Sequence, residues 1–430
     1  MSQRAPQDAL DLVAFIDACP SPFHACTEIA RRLEEAGFTR QLESEAWDAK
    51  RARGYVLREG SILAWALPKS PRPQVGFRLI GAHTDSPNLR VKPRPDTGSA
   101  GYRQLGVEVY GGVLLNSWLD RDLGLSGRVA VRSASGVELR LFRVDEPVMR
   151  VPQLAIHLDR EISSNGLQLN KQKHMSPVWA LGGSSRNEFR EYLAGKLEVD
   201  ANDVLSWDAM CHDVQPSRVW GRSMEFISAP RLDNLASCFA ALTALLARLE
   251  TGKPLEHTAV ISCFDHEEVG STSERGASGP ILRDLLERIV LSRGGTRDDL
   301  HRAVADSFGV SADMAHATHP NYTDRHEPDH FLQLNAGPVV KVNTNLRYAS
   351  DAQTEAVFQE ACERAGVLFQ KWVNRTDLAC GSTIGPLTAA SAGLRLVDVG
   401  NPMLAMHSAR EMAGSRDPGA MKAALAAFLE

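Results

Sequence analysis

Residues 232–270 read LDNLASCFAALTALLARLETGKPLEHTAVISCFDHEEVG, and this stretch decides the fold class. Leu235, Cys238, Phe239, Leu242, Leu245, Leu246 and Leu249 recur at intervals of three and four, which predicts a helix with one buried face. Thr258 to Phe264 is β-branched and apolar, the texture of a buried strand. Outward from it, Val75–Ile80 is a second short apolar run, closed by Gly81. Downstream come helix 352–366, strand-like Val367–Val373, strand Leu394–Val399 and a helical AMKAALAAFLE terminus. Upstream, Leu10, Val13 and Ala14 mark one helix and His24 to Ala36 another. Strands alternating with helices imply an α/β fold whose sheet is predominantly parallel or mixed and covered on both faces.

A different texture interrupts this pattern. LGVEVYGG (105–112), SGRVAVRSASGVELRLFRV (126–144) and the stretch to Ile156 alternate apolar and polar residues with period two. Ala134-Ser135-Gly136 reads as a hairpin tip. The expected organisation is therefore an α/β domain in two halves, residues 1–94 and 229–430, around an all-β insertion at 95–228.

The chain has 430 residues, with 48 Lys and Arg against 53 Asp and Glu, a net charge of −5. That balance argues against a dedicated nucleic-acid binder or a polybasic reader of membranes. Seven cysteines, odd in number and without a CxxC pair, read as reduced thiols of a cytoplasmic protein. The charged start MSQRAPQDALDLVAF does not read as a secretory signal, and no apolar window approaches the roughly 18 residues of a membrane span.

Ligands of α/β sheets bind at the carboxyl ends of strands. The segments just past the expected strands are chemically dense: His83 and Asp85 in GAHTD, Glu267 and Glu268 in FDHEEVG, His407 in AMHS. Asp233 opens the Leu-rich helix, and Asp313 and His316 lie in ADMAH. Taken singly, Asp233 reads as a helix cap, the two glutamates as solvated loop charges and each histidine as structural. Together they match the nitrogen and oxygen ligand set of a divalent-metal hydrolase. Adjacent glutamates suit such a site, since one carboxylate can hold a metal while its neighbour serves as general base. Asp85, two residues beyond His83, can orient that imidazole.

GAHTDSPNLRVKP (81–93), RLDNLASC (231–238), FDHEEVGS (264–271), ADMAHATHPNY (312–322), GPVVKVNTNLRYAS (337–350), CGSTIGP (380–386) and AMHSAREM (405–412) resemble the aspartyl aminopeptidase family of zinc metallopeptidases, whose relatives include fungal vacuolar aminopeptidases. The resemblance covers nearly the whole chain in order. It implies two Zn²⁺ per chain, replaceable by Mn²⁺ or Co²⁺: one held by His83, Asp233 and Asp313, the other by Asp233, Glu268 and His407. It implies Glu267 as general acid/base toward a hydroxide bridging the metals, with Asp85 supporting His83. His157 in AIHL (155–158) matches a histidine that reaches into a neighbouring subunit's site, its alternative being a core histidine in an apolar strand. His316 matches a histidine near the metal pair that either supports the ligands or contacts substrate. Lys341 matches the position that meets an acidic substrate side chain, its alternative being a solvent-facing strand residue. CGSTIGP lacks phosphate-loop spacing and reads as a substrate-facing loop offering backbone N–H groups.

The expected activity is removal of an N-terminal residue, preferably Asp or Glu, from peptide substrates. The expected assembly is a homo-oligomer, a dodecamer built from dimers through the β insertion. Two alternatives stand beside it: the same dizinc hydrolase with neutral, leucine-like preference, and a catalytically silent oligomeric binding protein.

Overall fold

Strand Thr258–Phe264, buried at every position, runs through the interior of a nine-stranded sheet in a computed structural model that describes residues 4–48, 51–69 and 72–430. The strand order is Thr39–Arg40, Arg53–Arg58, Ser61–Ala66, Thr258–Phe264, Phe77–His83, Phe308–Ala312, Arg395–Gly400, Val339–Val342 and Gln370–Val373. The central strands 258–264, 77–83, 308–312 and 395–400 are mutually parallel, while 53–66 forms an antiparallel hairpin and 339–342 runs against 395–400. The sheet is therefore mixed, with a parallel centre.

Helix Leu232–Glu250 covers one face, packed against helix Asp417–Phe428 and strand 77–83. By length and composition it could cross a membrane, the one such helix among the described residues, yet most of it is buried inside the protein. Helices Ile281–Leu291 and Ile384–Ala392 close the other face through a cluster that includes Leu79, Val260, Phe264 and Leu286. The 53–66 hairpin and the helices over 281–305 lie where the sequence reading is silent. Elsewhere local chemistry sets the ends. Helix Ala352–Ala365 starts at a reciprocal Asp351–Thr354 capping box and stops at Gly366, φ +65°.

A second sheet is antiparallel throughout, in the order Gly136–Met149, Leu123–Ser133, Val204–Asp213, Asn88–Ser99, Tyr102–Tyr110 and Val178–Leu181. Its hairpin closes between Ser133 and Gly136, at the expected tip. It has its own apolar core, and helix Glu188–Leu197 contributes Phe189 and Leu193 to it. The unit is thus not purely β. The alternation expected to run to Ile156 also stops at Met149, because Leu154, Ile156 and Leu158 are exposed instead of packing under the sheet. A small third sheet joins Arg218–Trp220, Phe226–Ala229, Glu411–Gly414, Pro402–Leu404 and Ala315–His316, and its turns project toward the carboxyl ends of the large sheet's central strands.

Candidate metal centre

Parallel register sets the first two site groups side by side. Phe264 pairs with His83 and Ser311 with Gly81, so the chain leaves three adjacent strands at one level. His83 ends its strand, Asp313 comes directly after the next, and Glu267 and Glu268 form a single 3₁₀ turn after Thr258–Phe264. Asp233 enters from the start of the long helix, and His407 from the turn joining Pro402–Leu404 to Glu411–Gly414. Six residues from five separate stretches of the chain thus converge on one cleft.

His83 Nε2 lies 3.3 Å from Asp233 Oδ1 and 3.4 Å from Asp313 Oδ1. His407 Nε2 lies 3.4 Å from Asp233 Oδ2 and 3.4 Å from Glu268 Oε2. Asp233 is shared between the two groups, and Glu267 brings a carboxylate oxygen within 4.8 Å of His83 and Glu268 ligand atoms. Both imidazoles donate from Nδ1 to a backbone carbonyl, His83 to Asp85 and His407 to Gly112, each at 3.0 Å. When neutral, each ring therefore turns an Nε2 lone pair toward carboxylate oxygens, and lone pairs facing anions require a cation between them. A tetrahedral zinc with bonds of about 2.0–2.1 Å spaces its ligand atoms by roughly 3.3 Å, and the observed separations fit that spacing.

Burial sharpens the requirement. His83 is 1% exposed and Asp233 4%. Asp233 Oδ1 and Glu268 Oε1 are buried without a hydrogen-bond partner, which is costly unless a cation satisfies them. Asp233 does not cap its helix: its carboxylate oxygens face His83 and His407 instead of a helix N–H, and its backbone N–H is held by Glu411 Oε2 at 3.0 Å. Burial pushes Glu267 up to about 8 and Glu268 well above the usual carboxylate range, with Asp233 and Asp85 adding to both. Burial alone would lower His83, but Asp233, Asp313 and Asp85 reverse the direction and raise it. The whole cluster attracts positive charge.

Asp85 supports more than His83. Its carboxylate accepts the Tyr110 hydroxyl at 2.7 Å and the backbone N–H groups of Glu267 and Glu268 at 3.1 Å each. Its backbone carbonyl, not its side chain, is the nearer partner of His83 Nδ1, the carboxylate standing 3.4 Å off.

The cleft, about 620 Å³ with its open mouth, is also lined by Met314, His316, Lys341, Tyr348, Gly381–Thr383 and Met406. Its size is that of a small-ligand site. Lys341 is 2% exposed, not solvent-facing, and donates to the backbone carbonyls of Asp313 and Met314 at 2.9 and 3.2 Å. His316 is open to solvent and stands edge-on to Trp372, centroids 6.0 Å apart. The CGSTIGP loop does line the cleft, and Thr383 donates to buried Asp398 at 2.6 Å. His157 is exposed on a turn outside the cleft, not in an apolar strand. Sequence reasoning missed Glu411, whose carboxylate also accepts the His407 N–H at 2.7 Å, and Tyr110. Glu411 stands in the AMHSAREM block, four residues past His407, but nothing local marks it as a buried acceptor.

Comparison with known proteins identifies the family. Residues 15–429 match the family described as aminopeptidase I zinc metalloprotease (M18). The chain is 49% identical over 421 residues to a probable M18 family aminopeptidase 2 of Streptomyces avermitilis, covering 98% of this chain and 97% of that one. It superposes on a chain of the cryo-EM structure of the Ape4 and Nbr1 complex with TM-score 0.95 at 36% identity, covering 100% of this chain and 87% of that one. For the S. cerevisiae mApe1 dodecamer the TM-score is 0.85 at 28% identity, with 98% and 96% covered. The chain belongs to the aminopeptidase I zinc metalloprotease (M18) family and is a zinc metalloaminopeptidase, a hydrolase acting on peptide bonds.

Proposed function

We propose that the chain is a cocatalytic aminopeptidase holding two zinc ions, with Mn²⁺ or Co²⁺ as substitutes, and that it prefers N-terminal Asp or Glu. His83, Asp233 and Asp313 would hold one ion; Asp233, Glu268 and His407 the other. The observation that carries this reading is the pair of Nδ1-anchored imidazoles facing one shared carboxylate at 3.3 and 3.4 Å. Two such cations, when bound, would supply Lewis acidity, lowering the pKa of the attacking water and polarising the scissile carbonyl.

The protein's own groups do the rest. Glu267 takes the proton from the attacking water on a carboxylate oxygen and returns it to the leaving amine nitrogen. Its burial gives it the basicity to hold that proton near neutral pH. Asp85 holds the Glu267–Glu268 turn through their backbone N–H groups. Lys341, desolvated and anchored on Asp313 and Met314, offers a fixed positive charge to a substrate carboxylate. His316 contacts substrate from the open rim.

His157 reaches the active site of a neighbouring subunit and there binds the substrate carbonyl. Leu154, Ile156 and Leu158 are exposed around it, an apolar segment suited to cover by a second copy. Residues 95–228 would form the pairing unit between the halves 1–94 and 229–430, and dimers would build a dodecamer of the kind reported for mApe1. All seven cysteines are free and six are buried, in keeping with a cytoplasmic setting.

A second reading, neutral leucine-like preference, has an observation in its favour. Two of the three Lys341 N–H bonds are already engaged, and Met314, Met406 and Tyr348 offer apolar surface. Metal analysis with an assay on Asp-, Glu- and Leu-terminated chromogenic substrates decides between them. Highest kcat/KM on Leu would overturn the acidic preference, and full activity without metal would overturn the dizinc reading.

A further inference from the structure

Beyond the Tyr110–Asp85 bond and the run from Asp85 into strand Asn88–Ser99, the antiparallel sheet unit reaches the metal centre through a further short segment that none of the proposed roles explains. Strand Tyr102–Tyr110 ends directly over the site, and the chain continues through Gly111 and Gly112 into a 3₁₀ turn at Leu115–Trp118. The Gly112 carbonyl accepts His407 Nδ1 at 3.0 Å, so it dictates which imidazole nitrogen is left to face Asp233 and Glu268. Leu114 N–H donates to the His407 carbonyl at 3.1 Å, and Ala409 N–H donates to Ser117 Oγ at 2.8 Å. The His407 turn is thereby pinned at three points to the other sheet.

The approach is close where the glycines stand. A Cβ on Gly112 would stand 3.0 Å from His407 Nδ1. A Cβ on Gly111 would stand 3.1 Å from Glu268 Cβ and 3.3 Å from its carbonyl oxygen, and Gly111 also has φ +74°. Both contacts fall on the Asp233–Glu268–His407 group; neither touches His83 or Asp313.

We propose that residues 111–117 are a positioning segment for the Asp233–Glu268–His407 cation position, acting through the His407 tautomer and the placement of Glu268. The inference rests on the dinuclear reading and adds an asymmetry to it. The His83–Asp233–Asp313 position is built by the large sheet and the start of its long helix. The other position is completed only when the antiparallel unit is docked. Groups that orient metal ligands in this way are worth about 10–100-fold in metal affinity.

The test uses full-length protein stripped with chelator and titrated with Zn²⁺ by calorimetry and with Co²⁺ by visible absorption. Wild type takes up two ions. Gly112→Ala and Gly111→Ala are expected to bind one ion with wild-type affinity and the other about 10–100-fold more weakly. Their kcat should fall at limiting zinc and recover with excess zinc, a rescue that general destabilisation would not produce. Ser117→Ala deletes an acceptor without adding atoms and should shift the same ion in the same direction. If the glycine variants do not fold, Ser117→Ala carries the test. Two ions bound with unchanged affinity in folded variants overturn the proposal while leaving the dinuclear reading intact. A wild type that takes up one ion or none overturns the dinuclear reading itself.

Discussion

The Lys341 ammonium donates to the backbone carbonyl of Asp313 at 2.9 Å, so the residue expected to read substrate charge also braces a candidate metal ligand. Lys341→Ala should therefore lower kcat/KM on every substrate, and lower it by a further factor of about 10 on Asp- and Glu-terminated ones, equivalent to about 1.4 kcal/mol. The measurement is the ratio of losses on acidic and neutral substrates. Equal losses would assign Lys341 to positioning Asp313 alone.

Glu267→Gln keeps the shape of the side chain and both backbone bonds of the turn, but not the base. Zinc content and melting temperature should stay at wild-type values while kcat falls by about 10²–10⁴. Near-full turnover with metal bound would move the proton-transfer role to another group.

The pH dependence of stability should depend on metal. Burial raises Glu267 and Glu411 from 4.5 to about 8. Burial opposes, but Asp233 and Glu411 raise, His407 from 6.5 to about 9. A raised folded-state pKa means stability present below the unfolded value and lost as pH climbs through the folded one. Metal-free protein should thus lose melting temperature between about pH 5 and 9. Bound cations take the place of those protons, so the metal-dependent gain in melting temperature should widen over the same range. Scanning calorimetry with and without chelator checks it; a constant gap would contradict the electrostatic account.

His157 is exposed and lies outside its own cleft, so its contribution should appear only between chains. His157→Phe alone should cost about 10²–10³ in kcat, the usual loss for one oxyanion donor. Mixing His157→Phe with Glu267→Gln chains should restore activity, since one site of a mixed dimer has both an intact base and an intact donor. Activity of demonstrably mixed dimers no higher than that of either parent would mean that His157 acts within its own chain or not at all.

Much of the site is legible in the sequence because strand ends are legible. TAVISCF and the run before His83 identify themselves by composition, and residues just past the carboxyl end of a parallel strand face the ligand crevice. The 53–66 hairpin is not legible, because its turn, Glu59-Gly60, sits among residues with no clean alternation. His157 reads as strand only if apolar neighbours are equated with buried ones, whereas Leu154, Ile156 and Leu158 are exposed in the isolated chain.

The sequence by itself determined the residue types at the cleft and the elements that carry them, because periodicity and strand composition are local properties written within about ten residues. It could not determine which nitrogen of His407 points inward. That is decided by the Gly112 carbonyl, 295 residues away along the chain. Nor could it show that Lys341 is buried against Asp313 or that Glu411 holds Asp233 and His407 together, 178 and 4 residues distant. Hydrogen bonds and ligand spacing depend on distances of a few tenths of an ångström. Only the docking of the sheets against one another brings such distant segments to them.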